Sequence, residues 1–541
     1  MLHINSQAIA KLWSRAIVNI CDVLLRPAAT MIGVIFVVPV FAQTVTLTTS
    51  GSYTVPANVY QISVVVRGAG GGAGGPDLNS SGNGGSGAAV TALINVTPGQ
   101  VFNANVGRGG QPGRWWGSGG NGFTPSGGAG GLGWANGGSG GSAGPTYYSG
   151  GGGGGGGATS FSLGATLYMA AGGGGGGGGA TATGSGVTGQ NGGASAALGA
   201  AAAGGVAASY TGDGSGGSGG GGGCTTGGAA SPPVDDSISP SIAAGAGRSC
   251  AISTATVSAV TYSSAGGSGG TGVPGGYDPS NPTQAYNSQT PGSNGSVSIT
   301  PVAPTIKLTK TTTGSASGVA TFGYTLTGVT TATESISVTG SATVASAVTH
   351  TGTYGVAATV NESTIPAPWS ITGLVCNDTA SAITGNVNPV GTVTGSTVSI
   401  PATQMRAGAK IVCAYTNSKT ATVTLRKTWV DATVNNAVNV TATGLTTLAS
   451  VAGTANETDT GAAQTVNVGS VLTLAESFTT GSAANYNTTL ACTGTSGLVG
   501  STLTVGSADT AIVCTYTNTR KIATLTKAFS PTSISVGGTS T

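Results

Sequence analysis

Six residues of five types recur in one order at two places in the chain. The first series is Lys310, Glu362, Cys376, Cys413, Tyr415, Asn417, and the second is Lys427, Glu476, Cys492, Cys514, Tyr516, Asn518. Their surroundings recur too: Ile306-Lys-Leu-Thr-Lys parallels Val423-Thr-Leu-Arg-Lys, and Cys413-Ala-Tyr-Thr-Asn parallels Cys514-Thr-Tyr-Thr-Asn. A series repeated in this way marks tandem domains. From Thr305 onward Thr, Val, Ala and Ser alternate with period two, and helical periodicity is absent. Units of this size and pattern read as β-sandwiches, over 305–419 and 420–521.

Strand alternation decides which side chains share a face. Ile306, Leu308 and Lys310 fall on one side, as do Val423, Leu425 and Lys427. Val360 goes with Glu362, and Leu472 and Leu474 go with Glu476. In the last strands Ile411, Cys413, Tyr415 and Asn417 share a face, and so do Ile512, Cys514, Tyr516 and Asn518. Each lysine, glutamate and asparagine is therefore expected to lean into an apolar core. Burial disfavours the charged form of an amine and drives a carboxyl toward the neutral acid. A neutral amine beside an asparagine amide and a protonated glutamate is a reaction centre. The amine attacks the carboxamide, the carboxyl moves the protons, ammonia leaves, and an isopeptide bond joins the first and last strands. Such a reaction turns over once, on the protein itself, and needs no cofactor. The competing reading is a buried Lys–Glu ion pair with a turn-forming asparagine in a disulfide-stapled sandwich.

The first part of the chain has a different composition. Residues 43–301 hold most of the 101 glycines, including runs of eight at 150–157 and 172–179. Period-two segments open and close it, at Ile62-Ser-Val-Val-Val-Arg67 and Ser296-Val-Ser-Ile-Thr300, and the apolar segment between the runs suits a hairpin. The glycines have two readings: a flexible linker, or threefold extended helices that lie side by side and exchange backbone hydrogen bonds. Flanking strands favour the ordered arrangement. Gly-x-Gly-x-x-Gly matches abound here, but none lies between a strand and a helix, so they say nothing of phosphate.

Residues 1–42 read as a signal peptide: a basic segment, a short apolar run, and Val40-Phe41-Ala42 before Gln43. No membrane insertion is expected after its removal. Six cysteines then remain, Cys224, Cys250, Cys376, Cys413, Cys492 and Cys514, two per region, which points to three local disulfides in an oxidising compartment. Two histidines and no Cys-x-x-Cys leave no zinc pattern, so no metal is expected. Only 6% of residues are charged, against roughly a quarter in ordinary soluble domains. The formal charge of +3 falls to +1 without the signal, and no basic stripe suggests nucleic acid. A hydrolase would need a base, and only His350 is left, with no nucleophile motif nearby.

The segment from Gly51-Ser-Tyr-Thr-Val-Pro to Val106-Gly-Arg-Gly-Gly, with the glycine runs after it, resembles the glycine-rich domain of bacterial surface proteins and phage adhesins over about 45–300. That resemblance implies recognition, with Trp115, Trp116, Trp134, Tyr147 and Tyr148 as aromatics able to stack on a sugar ring or a partner, or else to cover the glycine layer. The repeats resemble the SpaA-like, prealbumin-fold repeats of bacterial pilins and surface adhesins, related to collagen-adhesin B-type repeats. Leu425-Arg-Lys-Thr-Trp429, Leu474-Ala-Glu476 and Cys514-Thr-Tyr-Thr-Asn-Thr-Arg520 carry the match. It implies that Lys427, Glu476 and Asn518, and by parallel Lys310, Glu362 and Asn417, are the self-crosslinking positions. The cysteine pairs depart from that pattern; a Cys376–Cys413 or Cys492–Cys514 bridge offers a second staple. Residues 522–541, with Lys527, resemble the start of a third, incomplete repeat.

The expected architecture is all-β, a glycine-rich β/polyglycine domain followed by tandem immunoglobulin-like, prealbumin-like sandwich repeats. The expected function is that of an exported bacterial surface adhesin whose partner is a glycan or protein on a host or neighbouring cell. The alternative is a structural surface or matrix protein without a specific ligand.

Overall fold

The computed structural model describes residues 43–541 apart from short stretches, among them 115–125, 144–149, 193–200, 208–213, 236–243, 273–288 and 523–532. The signal segment, Trp115, Trp116, Tyr147, Tyr148 and Lys527 lie outside the described residues. The described chain is almost entirely strand and extended backbone, with one four-residue α-helix, Ser381–Thr384. No helix among the described residues is long and apolar enough to cross a membrane.

The glycine-rich region begins as two five-stranded sheets. One has the order Val45–Leu47, Ser296–Pro301, Gln61–Arg67, Ala89–Asn95, Val257–Ser263. The other has the order Cys250–Ala251, Thr166–Ala171, Thr159–Leu163, Val101–Asn105, Gly51–Thr54. Inward residues at alternate positions, including Val64, Val66, Val90, Ile94, Met169 and Ile299, form one core, where Phe102 and Phe161 stack at 4.8 Å. Several strands run straight into glycine: Arg67 precedes Gly68, and Ala171 precedes Gly172.

The glycine runs are ordered, and their hydrogen bonds have period three. The amides of Gly150, Gly153 and Gly156 donate to Ala180, Gly177 and Gly174. Those of Gly151, Gly154 and Gly157 donate to Arg114, Gln111 and Arg108, and those of Gly152, Gly155 and Ala158 to Gly141, Gly138 and Ala135. Every third residue thus meets the same neighbouring segment, the signature of an extended threefold helix. The bonds span 2.8–3.1 Å. Backbones can approach this closely only without side chains: a Cβ on Gly155 would lie 1.9 Å from the Gly220 carbonyl oxygen. Ordering glycine costs about 1–2 kcal/mol or more per residue, and a bond from almost every amide is what offsets it.

Each repeat is a two-sheet sandwich with its own core. In the first, Thr305–Thr313 lies parallel to the start of Lys410–Val430, and Trp369–Asp378 lies antiparallel on that strand's other side. The facing sheet carries Val319–Thr327 and Ala358–Thr364. In the second, the end of Lys410–Val430 takes the place of Thr305–Thr313, parallel to Ala511–Arg520, with Tyr486–Thr493 beyond it. Ala437–Ala442 and Val471–Thr480 face them. The closing strand of the first repeat and the opening strand of the second are thus one 21-residue strand. Its inward face passes from one core to the other without a linker. At the other end, the Ala407 amide donates to the Asn58 carbonyl, and Ala407 is buried in the core of the glycine-rich region.

Gly155→Ala should therefore unfold the glycine layer at lower temperature, with a loss of roughly 3 kcal/mol or more, since overpacking of a rigid layer cannot relax. Gly51→Ala, whose new Cβ would find its nearest neighbour 3.9 Å away, should stay within about 0.5 kcal/mol of the parent. Thermal unfolding followed calorimetrically compares the two.

Candidate functional site

Parallel pairing of the first and last strands places lysine and asparagine two register steps apart. Lys310 pairs with Tyr415 and Thr312 with Asn417; Lys427 pairs with Tyr516 and Trp429 with Asn518. Strand spacing and rise put the two backbones about 8 Å apart on one face, a gap the two side chains close. The glutamates come from the facing sheet, Glu362 on Ala358–Thr364 and Glu476 on Val471–Thr480. Each cluster therefore spans the sandwich. Lys310, Asn417, Lys427 and Asn518 are fully buried, and Glu362 nearly so.

In the first repeat Lys310 Nζ donates to Glu362 Oε1, and the same oxygen accepts from the Tyr324 hydroxyl at 3.1 Å. Lys310 Nζ sits 4.0 Å from the centroid of the Phe322 ring, a cation–π contact. Tyr415 lies between Cys413 and Asn417; its hydroxyl donates to the Val360 carbonyl across the core, and its ring meets Tyr324 edge-on at 5.1 Å. Burial, then the nearby Glu362, hold Tyr324 and Tyr415 above the ordinary phenol range, so both stay donors. The Asn417 carboxamide has no hydrogen-bond partner on either polar atom, and Glu362 Oε2 has none. A buried amide with both ends unpaired costs on the order of 1–3 kcal/mol per group.

In the second repeat Lys427 Nζ is 2.7 Å from Glu476 Oε1. The separation is that of an ion pair, while the direction misses hydrogen-bond alignment. Glu476 Oε2 accepts from Asn518 Nδ2 at 3.0 Å, and Asn518 Oδ1 accepts from the Thr488 hydroxyl at 2.8 Å. Lys427 Nζ lies 4.5 Å from the centre of the Trp429 ring, and the Trp429 indole is held by Ser450 at 2.8 Å. In both clusters burial outweighs the carboxylate's pull and lowers the lysine pKa from 10.5 to about 8.

The cysteines pair locally as Cys224–Cys250, Cys376–Cys413 and Cys492–Cys514. The two repeat bridges join directly opposed register partners on antiparallel strands. A slip by one residue would turn asparagine outward; the bridge excludes it, because both cysteines must stay opposed. Closing loops of 37 and 22 residues adds roughly 3–4 kcal/mol each. Among the described residues no group of three His, Cys, Asp or Glu gathers as metal ligands.

Of the proposed recognition aromatics, Trp134 is half-buried and packs with Leu167 against Ala170 and the Cys224–Cys250 bridge. That is a packing role for the face it presents inward. The hydroxyls of Tyr324 and Thr488, and the Phe322 ring, join the clusters without being singled out by the repeated series. Thr488 and Phe322 stand on strands whose placement depends on the fold; only Trp429, two residues from Lys427, had a local signal.

Residues 306–419 match the SpaA-type family described as a prealbumin-like fold domain. No curated protein matches the chain. Among solved structures, the major pilin protein T-13 from Streptococcus pyogenes is 16% identical, with 41% of this chain and 98% of that one covered, at TM-score 0.16. The pilus adhesin SpaC from Lactobacillus rhamnosus GG is 12% identical, with 40% of this chain and 31% of that one covered, at TM-score 0.17. A C-terminal fragment of the same adhesin is 13% identical, covering 42% and 100%, at TM-score 0.17. The family match covers the first sandwich, and the second repeats its parallel first-to-last strand pairing.

A lysine held near pKa 8 is a nucleophile only in its neutral form. Any reaction of Lys310 or Lys427 should therefore accelerate roughly tenfold per unit as pH rises toward about 8, then level. An unshifted lysine would keep accelerating to about 10.4. Mass spectra of newly synthesised, uncrosslinked chain as it folds, sampled over time on either side of pH 8, distinguish these profiles.

Proposed function

We propose that this chain is an exported bacterial surface protein in which sandwich repeats form a stalk and the glycine-rich region forms the head. The observation that carries the reading is the run of buried Lys–Glu–Asn clusters along one continuous strand. Asn417 and Lys427 lie ten residues apart on the inward face of Lys410–Val430. A Lys310–Asn417 bond and a Lys427–Asn518 bond would each clamp a first strand to a last strand. Pulling force would then pass from Lys310 to Asn417, along the shared strand to Lys427, and on to Asn518. Disulfides pin the last strands separately, so neither sandwich depends on one staple.

The chemistry is a single event at each repeat. The neutral lysine amine adds to the asparagine carboxamide, the glutamate passes the displaced proton to the amide nitrogen, and ammonia leaves. The orphaned Asn417 amide supports this: both of its polar atoms are buried and unpaired, a cost that bonding to Lys310 would relieve. A hydrogen-bonded glycine layer on two apolar sheets supports a folded head rather than a flexible linker. The fitting partner is a glycan or protein on another surface. A head that binds nothing would leave the stalk as a structural or matrix element.

Two outcomes follow. The intact chain, fully reduced, should weigh less than its sequence by one ammonia per repeat, and Glu362→Gln with Glu476→Gln should restore the full mass. A reduced mass equal to that of the sequence sinks the crosslinks and leaves the disulfides alone. The whole chain should also bind members of a glycan array or intact cells; absence of binding to every surface tried favours the structural alternative.

A further inference from the structure

Beside each Lys–Glu–Asn cluster stands one hydroxyl that the repeated series does not contain, and it occupies a different corner in each repeat. In the first repeat it is Tyr324, which pairs in register with Glu362 and donates to Glu362 Oε1. The residue paired with Glu476 in the second repeat is Val440, which has no hydroxyl. In the second repeat it is Thr488, directly opposite Asn518 in register and donating to Asn518 Oδ1 at 2.8 Å. The residue opposite Asn417 is Ile371. The two repeats thus support one reaction with different auxiliary groups.

We propose that Thr488 is a further catalytic residue of the second repeat, holding the Asn518 carbonyl oxygen while Glu476 serves the departing nitrogen. This rests on the crosslinking reading given above. The geometry divides the work: Glu476 Oε1 lies by Lys427 Nζ, Glu476 Oε2 by Asn518 Nδ2, and the Thr488 hydroxyl by Asn518 Oδ1. The Lys427 Nζ lone pair forms a bond to Asn518 Cγ, and the carbonyl π pair moves onto Oδ1. The Thr488 hydrogen bond shortens as that charge develops, which is transition-state stabilisation of the oxyanion kind. Nζ sheds a proton through Glu476 to Nδ2. The Cγ–Nδ2 bond then breaks, the carbonyl re-forms, and ammonia leaves. One C–N bond forms and one breaks, with no change of oxidation state. In the first repeat no donor faces Asn417 Oδ1, and Tyr324 acts there as a positioning residue on Glu362.

Thr488 sits at the exposed rim of the sandwich, so exchanging its hydroxyl for a methyl leaves the core packing in place. The test folds the full chain from newly synthesised, still uncrosslinked polypeptide under an oxidising thiol buffer and follows the two crosslinked peptides separately by mass. Thr488→Val should slow the Lys427–Asn518 bond about 10- to 100-fold, below the full effect of a buried oxyanion donor, and leave the Lys310–Asn417 rate unchanged. Thr488→Ser should restore the parent rate. An unchanged Lys427–Asn518 rate in Thr488→Val, with the Cys492–Cys514 bridge formed, overturns the proposal. Equal slowing in both repeats also overturns it, because it indicates a folding effect. A parent chain that loses no ammonia overturns the crosslinking reading itself, and this inference with it.

Discussion

The strand Lys410–Val430 is the constraint on which the repeats depend. Its inward residues are, in order, Ile411, Cys413, Tyr415 and Asn417, then Ala421, Val423, Leu425, Lys427 and Trp429. The first set completes one core and the second opens the next. Because strand alternation has a period of two residues, the register of the first core dictates the register of the second. Parallel pairing on one side of the strand and antiparallel pairing on the other hold both ends. The Cys376–Cys413 bridge then fixes the phase covalently.

From that phase follows the electrostatics. A fully buried amine is poorly solvated, and one carboxylate does not compensate in full. The lysine therefore sits near the boundary between charged and neutral, close to physiological pH, which is where a nucleophilic amine is most useful. Aromatic faces stand over both lysines but come from different places: Phe322 from the facing sheet, and Trp429 from the lysine's own strand. The same environment is reached by two routes, and a hydroxyl joins each cluster from a different place, Tyr324 at Glu362 and Thr488 at Asn518. What the two sandwiches preserve is the set of groups meeting at the centre, with the surrounding shell free to differ.

The glycine-rich region solves the opposite packing problem. The repeats bury side chains; this layer has none to bury, and it coheres through amide-to-carbonyl bonds from one backbone to the next. Three successive residues reach three different neighbours, so the layer is bonded in several directions, unlike a sheet, which is bonded in two. The strands flanking it supply the apolar core that such a layer lacks.

By itself the sequence determined the tandem sandwiches, the inward set of Lys, Glu, Cys, Tyr and Asn in each, the local cysteine pairs and the hairpin between the glycine runs. Each of these depends on neighbours within one strand or on residue type, and period-two alternation carries that information directly. Only the tertiary structure decided what depends on strands distant in sequence. It merged the closing and opening strands into one, and it brought Tyr324 to Glu362 and Thr488 to Asn518. It also gave the amides of residues 150–157 and 172–178 their partners, since threefold helices of identical residues carry no side chain by which a sequence could mark which neighbour they meet.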